Sequence, residues 1–89
     1  MLFDVRHANR DVTVRFERCG GLDERHILEC DDGRTVSVYR RGSRWVLAVL
    51  RGDSARYYPP FMERDDALHA AAVIYLNSRF AYDKSLIEA

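Results

Sequence analysis

Apolar and polar residues alternate through most of the first sixty positions, and a helical period replaces the alternation only beyond Glu63. Val12, Val14 and Phe16 interleave with Thr13, Arg15 and Glu17, the period-two signature of a strand with one buried face. Phe3 and Val5 alternate in the same way with Asp4 and Arg6, and Ala8-Asn9-Arg10-Asp11 carries turn chemistry, so residues 2–18 read as a hairpin. Gly20-Gly21 breaks the second strand, and a third runs over Arg25–Cys30. Asp31-Asp32-Gly33-Arg34 then marks a turn, because Asp-Gly tolerates positive φ. Thr35–Arg40, Trp45–Leu50 and Ala55–Tyr58 continue the sheet, separated by turns at Arg41-Gly42-Ser43 and Arg51-Gly52-Asp53-Ser54. Pro59-Pro60 ends it, since proline cannot donate to a ladder.

Leu68, Ala71, Ala72, Tyr75 and Leu76 recur at helical spacing, with Asp65 and Asp66 where carboxylates favour a helix N-terminus. The pattern predicts a helix over 64–80 and a tail over 81–89 holding the apolar pair Leu86 and Ile87. The expected fold is α+β: an antiparallel meander of five or six strands with one C-terminal helix packed on a face, all within residues 1–80. Its expected core is Phe3, Val5, Val12, Val14, Phe16, Leu28, Val36, Val38, Trp45 or Val46, Phe61, Leu68, Ala71, Ala72, Tyr75 and Leu76.

Pairing the first strands fixes further expectations. Phe3 opposite Phe16 and Val5 opposite Val14 bury the apolar set and set Arg15 against Asp4, while Phe16 opposite Leu28 also sets Arg15 against Glu29. The same register keeps Cys19 and Cys30 on the order of 16 Å apart, whereas a disulfide needs Cα atoms within about 7 Å. Two reduced thiols, no secretory leader and no apolar run of membrane-spanning length make the cytoplasm the expected location.

Composition narrows the function classes. Eighty-nine residues fit one domain, and 14 Lys+Arg against 14 Asp+Glu leave no net field to draw the chain to nucleic acid or an anionic membrane. Of the cations only Lys84 is lysine, and arginine suits planar recognition of carboxylate, phosphate or aromatic faces. A high-GC genome, which supplies arginine and alanine codons, is the plainer explanation, so the bias is a weak functional signal. His7, Cys19, His26 and Cys30 lack close-paired metal-ligand spacing, so no metal site is expected. Ser37, Ser43 and Ser54 have no nucleophile elbow, Asp31-Asp32 and Asp65-Asp66 fit a turn and a helix start, and His69 beside Asp65 and Asp66 is an ordinary surface histidine. No phosphate-cradling loop is present, so neither enzyme activity nor a cofactor is expected.

The informative cluster is central. Tyr39, Arg40, Arg41, Arg44, Trp45, Arg51, Arg56, Tyr57 and Tyr58 place arginines and aromatics on adjacent strands and turns, with only Asp53 close in sequence as a counter-charge. Such a surface can bind another protein with an acidic or phosphate-like face, or stack on bases and contact phosphates. Tyr39, Arg40, Arg41, Arg44, Arg51, Arg56 and Tyr58 are the expected partner-binding set. The strand Trp45–Leu50 is apolar on both faces and the helix on more than one side, which makes a homodimer a further expectation.

Residues 44–76 resemble the three-strand-plus-helix module of phage integrase arm-binding domains. The likeness rests on an aromatic strand opening at Arg44-Trp45-Val46, a Gly52 turn, an Arg56-Tyr57 strand, and Phe61 ahead of Glu63-Arg64-Asp65-Asp66-Ala67. That resemblance implies a sheet entering a DNA groove through Tyr39, Arg41, Arg44, Arg51 and Arg56. In size and make-up the whole chain is similar to small phage-encoded inhibitors such as anti-CRISPR proteins, which implies a compact, non-enzymatic protein-binding role.

Overall fold

The computed structural model describes the backbone of residues 1–19 and 24–88, and the side chains of 1–19 and 24–78. The chain is α+β, with a two-stranded ribbon, a five-stranded antiparallel meander and one C-terminal helix. The ribbon pairs β1 (Leu2–His7) with β2 (Arg10–Arg15). The meander runs β3 (Glu17–Cys19), β4 (Arg25–Glu29), β5 (Thr35–Arg41), β6 (Arg44–Arg51) and β7 (Ser54–Tyr57) in sequential order, and α1 spans Arg64–Glu88. The Gly20-Gly21 break and the Leu86 and Ile87 side chains lie outside the described residues.

The first hairpin closes more tightly than the sequence predicts. Ala8 and Asn9 form a two-residue loop with φ of 51° and 64°, the doubly positive geometry of a type I′ turn, so His7 pairs with Arg10. Phe3 therefore faces Val14 and Val5 faces Val12, two residues from the expected register. A shift of two keeps every side chain on its face, so the apolar set stays inward. It does change the outer partners: Arg15 lies opposite Leu2 rather than Asp4, and the Thr13 hydroxyl donates to Asp4 at 2.6 Å.

Phe16 divides β2 from β3. Its N–H donates to the Met1 carbonyl at 2.8 Å and its carbonyl accepts from the Met1 nitrogen at 2.9 Å, completing the ribbon. One residue later Glu17 pairs with Ile27, Arg18 with His26 and Cys19 with Arg25, the register expected from Phe16 opposite Leu28. One extended segment thus serves two sheets. The ribbon leaves the plane of the meander and packs β1 on α1, where His7 Nε2 lies 2.7 Å from Asn77 Oδ1.

Small residues let the helix approach closely. Ala67, Leu68, Ala71 and Ala72 are fully buried, recurring every three to four positions against β4, β5 and β6. Opposite them lie Leu28, Cys30, Val36, Val38, Leu47 and Val49, with Phe3, Trp45, Phe61, Tyr75 and Leu76 half-buried around the edge. The expected core is present, joined by Leu47, Val49, Cys30 and Ala67. The all-round apolarity of Ala70–Leu76 is explained by double cover, the meander on one side and the ribbon on another. No glycine or proline follows Leu76, and the helical backbone runs on to Glu88, past the expected end at 80. At Pro59-Pro60 the edge bulges and then pairs once more, Trp45 and Phe61 exchanging both backbone hydrogen bonds.

His26, with Ser78 one of two buried polar residues on the helix side among the described residues, is 1% exposed and lies between Arg18 and Val38 with its ring at the edge of Phe16. Glu24 Oε1 comes within 3.1 Å of Nε2, but off the line a hydrogen bond needs, so neither ring nitrogen has an aligned partner. Burial pushes its pKa below the ordinary 6.5; the Glu24 carboxylate opposes the fall, and the Arg64 and Arg18 guanidiniums add to it. The folded chain therefore holds fewer protons than the unfolded one just below the ordinary histidine pKa. The neutral ring's contribution is complete above 6.5 and is lost as pH falls towards the folded pKa. The urea midpoint should drop between about pH 7.5 and about pH 5, and His26→Phe should flatten much of that drop; an unchanged slope in the variant would assign the acid sensitivity to other groups.

Candidate functional site

Strand parity decides which side chains share a surface. On β5, Val36, Val38 and Arg40 point to the helix, whereas Thr35, Ser37, Tyr39 and Arg41 point away; on β6, Trp45, Leu47, Val49 and Arg51 face the helix, and Arg44, Val46, Ala48 and Leu50 do not. The face away from the helix has no second layer of secondary structure among the described residues.

The registers lay this open face out in rows. At one end Arg41 stands opposite Arg44. The next row is Cys19, Arg25, Tyr39 and Val46, followed by Glu17, Ile27, Ser37, Ala48 and Tyr57, and then by Glu29, Thr35, Leu50 and Ala55. Guanidiniums thus gather at one end, carboxylates lie towards the other, and a small, apolar floor lies between. The Arg25 guanidinium sits over the Tyr39 ring, 4.6 Å from its centroid, a cation–π contact that fixes both side chains. Tyr57 is 64% exposed, Tyr39, Ile27 and Leu50 are half-buried, and Ala48 and Ser37 lie at the bottom of the pleat. The Ser37 hydroxyl is buried there without a hydrogen-bond partner.

The sequence-derived set is split by this geometry. Tyr39, Arg41 and Arg44 share the open face. Arg40 lies opposite Trp45, and Arg51, Arg56 and Tyr58 likewise belong to the helix side, where the three arginines form an exposed rim and Tyr58 is half-buried against the core. Arg40 Nε donates to the Gly42 carbonyl at 3.0 Å within its own turn, and the Arg56 guanidinium lies 5.4 Å from the Tyr58 ring. Arg51 stands seven residues along β6 from Arg44, about 23 Å at ~3.3 Å per residue. The residues that the integrase resemblance would bring to one groove are therefore divided between two faces. Trp45 and Val46 are both shielded, but on opposite sides of the sheet.

Sequence reasoning missed Arg25 and left Tyr57, though part of the central cluster, out of the partner-binding set. The signal was available: the Asp31–Arg34 turn, with Cys30 N–H donating to Arg34 O at 2.8 Å, fixes Arg25 opposite Tyr39 once the register is carried up the hairpin. Two-residue loops at Gly42-Ser43 and Gly52-Asp53, each with a positive-φ glycine first, then fix Tyr57 beside Ala48.

Arg15 lines an open cleft of about 310 Å³ with Glu17, Ile27, Leu28, Glu29 and Tyr75, so its acidic neighbours come from β3 and β4. Cys19 is exposed on the open face, and Cys30 is a free thiol buried on the other. Burial, with the nearby Asp32 carboxylate, pushes the Cys30 thiol above its ordinary pKa and makes it a packing group rather than a nucleophile. Among the described residues no three His, Cys, Asp or Glu side chains gather as metal ligands, and no helix is long and apolar enough to cross a membrane.

Arg41 and Arg44 form a like-charge pair directly across the strands, with no carboxylate paired to either among the described residues. Such an arrangement costs stability, and reversing one charge converts repulsion into attraction. Arg44→Glu should raise unfolding free energy by about 0.2–1 kcal/mol at low salt, the gain shrinking as salt is added. An unchanged stability in urea titration at low and high salt would show that the two side chains splay apart and do not interact.

No protein-family model, curated protein or solved structure matches this chain.

Proposed function

We propose that the chain is a non-enzymatic protein-binding module, a small regulator or inhibitor that holds an acidic surface of another protein against the open face of its sheet. One observation carries this reading: Arg25, Arg41 and Arg44 gather around Tyr39 with no ion pair to a carboxylate among the described residues, on the face without a covering layer. Arginine and tyrosine are the residue types that dominate binding energy at protein interfaces, and the Arg25–Tyr39 contact prepays part of their ordering cost. Arg40, Arg51, Arg56 and Tyr58 act as a secondary rim reached around the sheet edge.

Charge layout favours a protein over a nucleic acid. A phosphate backbone tracking along the face would meet Glu17 and Glu29 about 13–20 Å from the arginine end, at two residues per row, and the neutral chain adds no long-range attraction. An amphipathic protein segment with carboxylates at one end and apolar residues in its middle meets neither difficulty. A compact domain that occupies a partner's working surface is also the mode of phage and mobile-element inhibitors of the anti-CRISPR kind, and we place this chain in that functional class, acting in the cytoplasm.

Arg41→Glu combined with Arg44→Glu replaces one like-charge pair by another, so stability should change by no more than about 0.5 kcal/mol. Partner affinity should fall by about 1,000-fold, taking about 2 kcal/mol for each reversed contact. Immobilised wild type and variant, exposed to nuclease-treated lysate of the native host, provide the comparison. A protein held by wild type and lost by the variant, then rebound as purified material with a shallow salt dependence, is the expected result. Retention of DNA or RNA that weakens steeply with salt would replace this reading with a nucleic-acid one. Equal capture by the variant would move the site off the open face.

A further inference from the structure

We propose that the same open face also receives a second copy of this chain, packed sheet to sheet about a two-fold axis that reverses the strand direction. The face is self-complementary in that arrangement. Arg41 and Arg44 stand at one end and Glu29 three rows away, with Glu17 one row nearer and Arg15 lining the same cleft as both carboxylates, which leaves that end net acidic. Reversing the strand direction lays the guanidinium end of each copy towards the carboxylate end of the other, and the two-fold makes that contact twice.

Between the charged ends, Ile27, Leu50 and Tyr57 present the apolar surface, above the buried Val46, Ala48 and Ser37. Large residues flanking small ones in the pleat leave shallow recesses that facing side chains can enter. The Ser37 hydroxyl, 2% exposed and without a hydrogen-bond partner, lies in the middle of this floor, where a facing polar atom would satisfy it.

Area sets the strength of the association. Five strands at about 4.8 Å and four rows at about 6.7 Å give a footprint of about 500 Å² per copy. A pair would bury about 1,000 Å² in total, the lower limit for a specific contact. The dimer is therefore weak and concentration-dependent, and it covers the docking face when the chain is abundant. That masking rests on the function proposed above; the self-association itself does not.

Sedimentation equilibrium of the purified chain at low salt, from about 5 to about 500 µM, reads the association directly. The mass should climb from 10.4 kDa towards twice that value. A mass that stays at 10.4 kDa at the top concentration overturns the proposal whatever the variants do, and leaves the partner-docking reading intact. Two variants then locate the contact, each checked by circular dichroism: Arg41→Glu with Arg44→Glu, and Glu17→Arg with Glu29→Arg. Each alone should remain monomeric, because like charges then meet at both ends. An equimolar mixture should associate, because an acidic face then meets a basic one. Wild-type-like dimerisation by either variant, or failure of the mixture to associate, would refute the face-to-face two-fold. A dimer that captures no partner in the lysate experiment would instead sink the docking function and leave self-association standing.

Discussion

Everything in this fold depends on a change of partner at Phe16. Residues 10–19 form one extended stretch with a break at this single residue, hydrogen-bonded to β1 up to Phe16 and to β4 from Glu17 onward. The Phe16 ring, 1% exposed, sits at the corner with edge-on contacts to Phe3 at 6.2 Å and His26 at 6.4 Å, so one side chain touches both sheets. Burying such a ring is worth about 1.5–3 kcal/mol, and each aromatic contact adds about 0.5–1.5 kcal/mol. That energy holds the ribbon out of the plane of the meander and against the helix. Without the corner, the ribbon would extend the sheet and the second apolar side of α1 would lie bare.

This asymmetry separates structure from function in the meander. The side towards the helix is closed with small helix residues and branched strand residues, and the histidine buried in it, His26, is kept neutral by its surroundings. The other side keeps a like-charge Arg41–Arg44 pair, an unpartnered serine hydroxyl and a largely exposed tyrosine. Each is a group whose interactions are incomplete in the isolated chain, which is the physical meaning of a surface with binding capacity to spare.

Much of the fold was legible because period-two alternation and glycine-bearing turns are local signals. The four later strands, the α+β class and most of the core follow from them. What escaped was non-local or turned on a single residue. Ala8 in a left-handed conformation is not a choice that sequence chemistry favours, so the sequence predicts a longer first turn and a register two residues away. The switch at Phe16 leaves no mark in the alternation, which runs unbroken from Val12 to Glu17. For the site, proximity in sequence grouped Arg40 with Arg41 and Arg51 with Arg44, although strand parity sends the members of each pair to opposite faces. Arg25 was hidden for the complementary reason, lying 14 positions from Tyr39 in sequence and directly beside it in the sheet.

The partner change at Phe16 can be observed directly in a nuclear Overhauser spectrum of the isotopically labelled chain, at a concentration low enough to keep it monomeric. The structure predicts cross-peaks from the Phe16 ring to both the Phe3 and His26 rings, with Glu17 and Cys19 showing cross-strand contacts to Ile27 and Arg25. Contacts from Glu17 to Leu2, as in a hairpin slipped by two residues that runs on through Phe16, together with loss of the His26 contact, would place the ribbon in the sheet and contradict the two-sided architecture on which the open face depends.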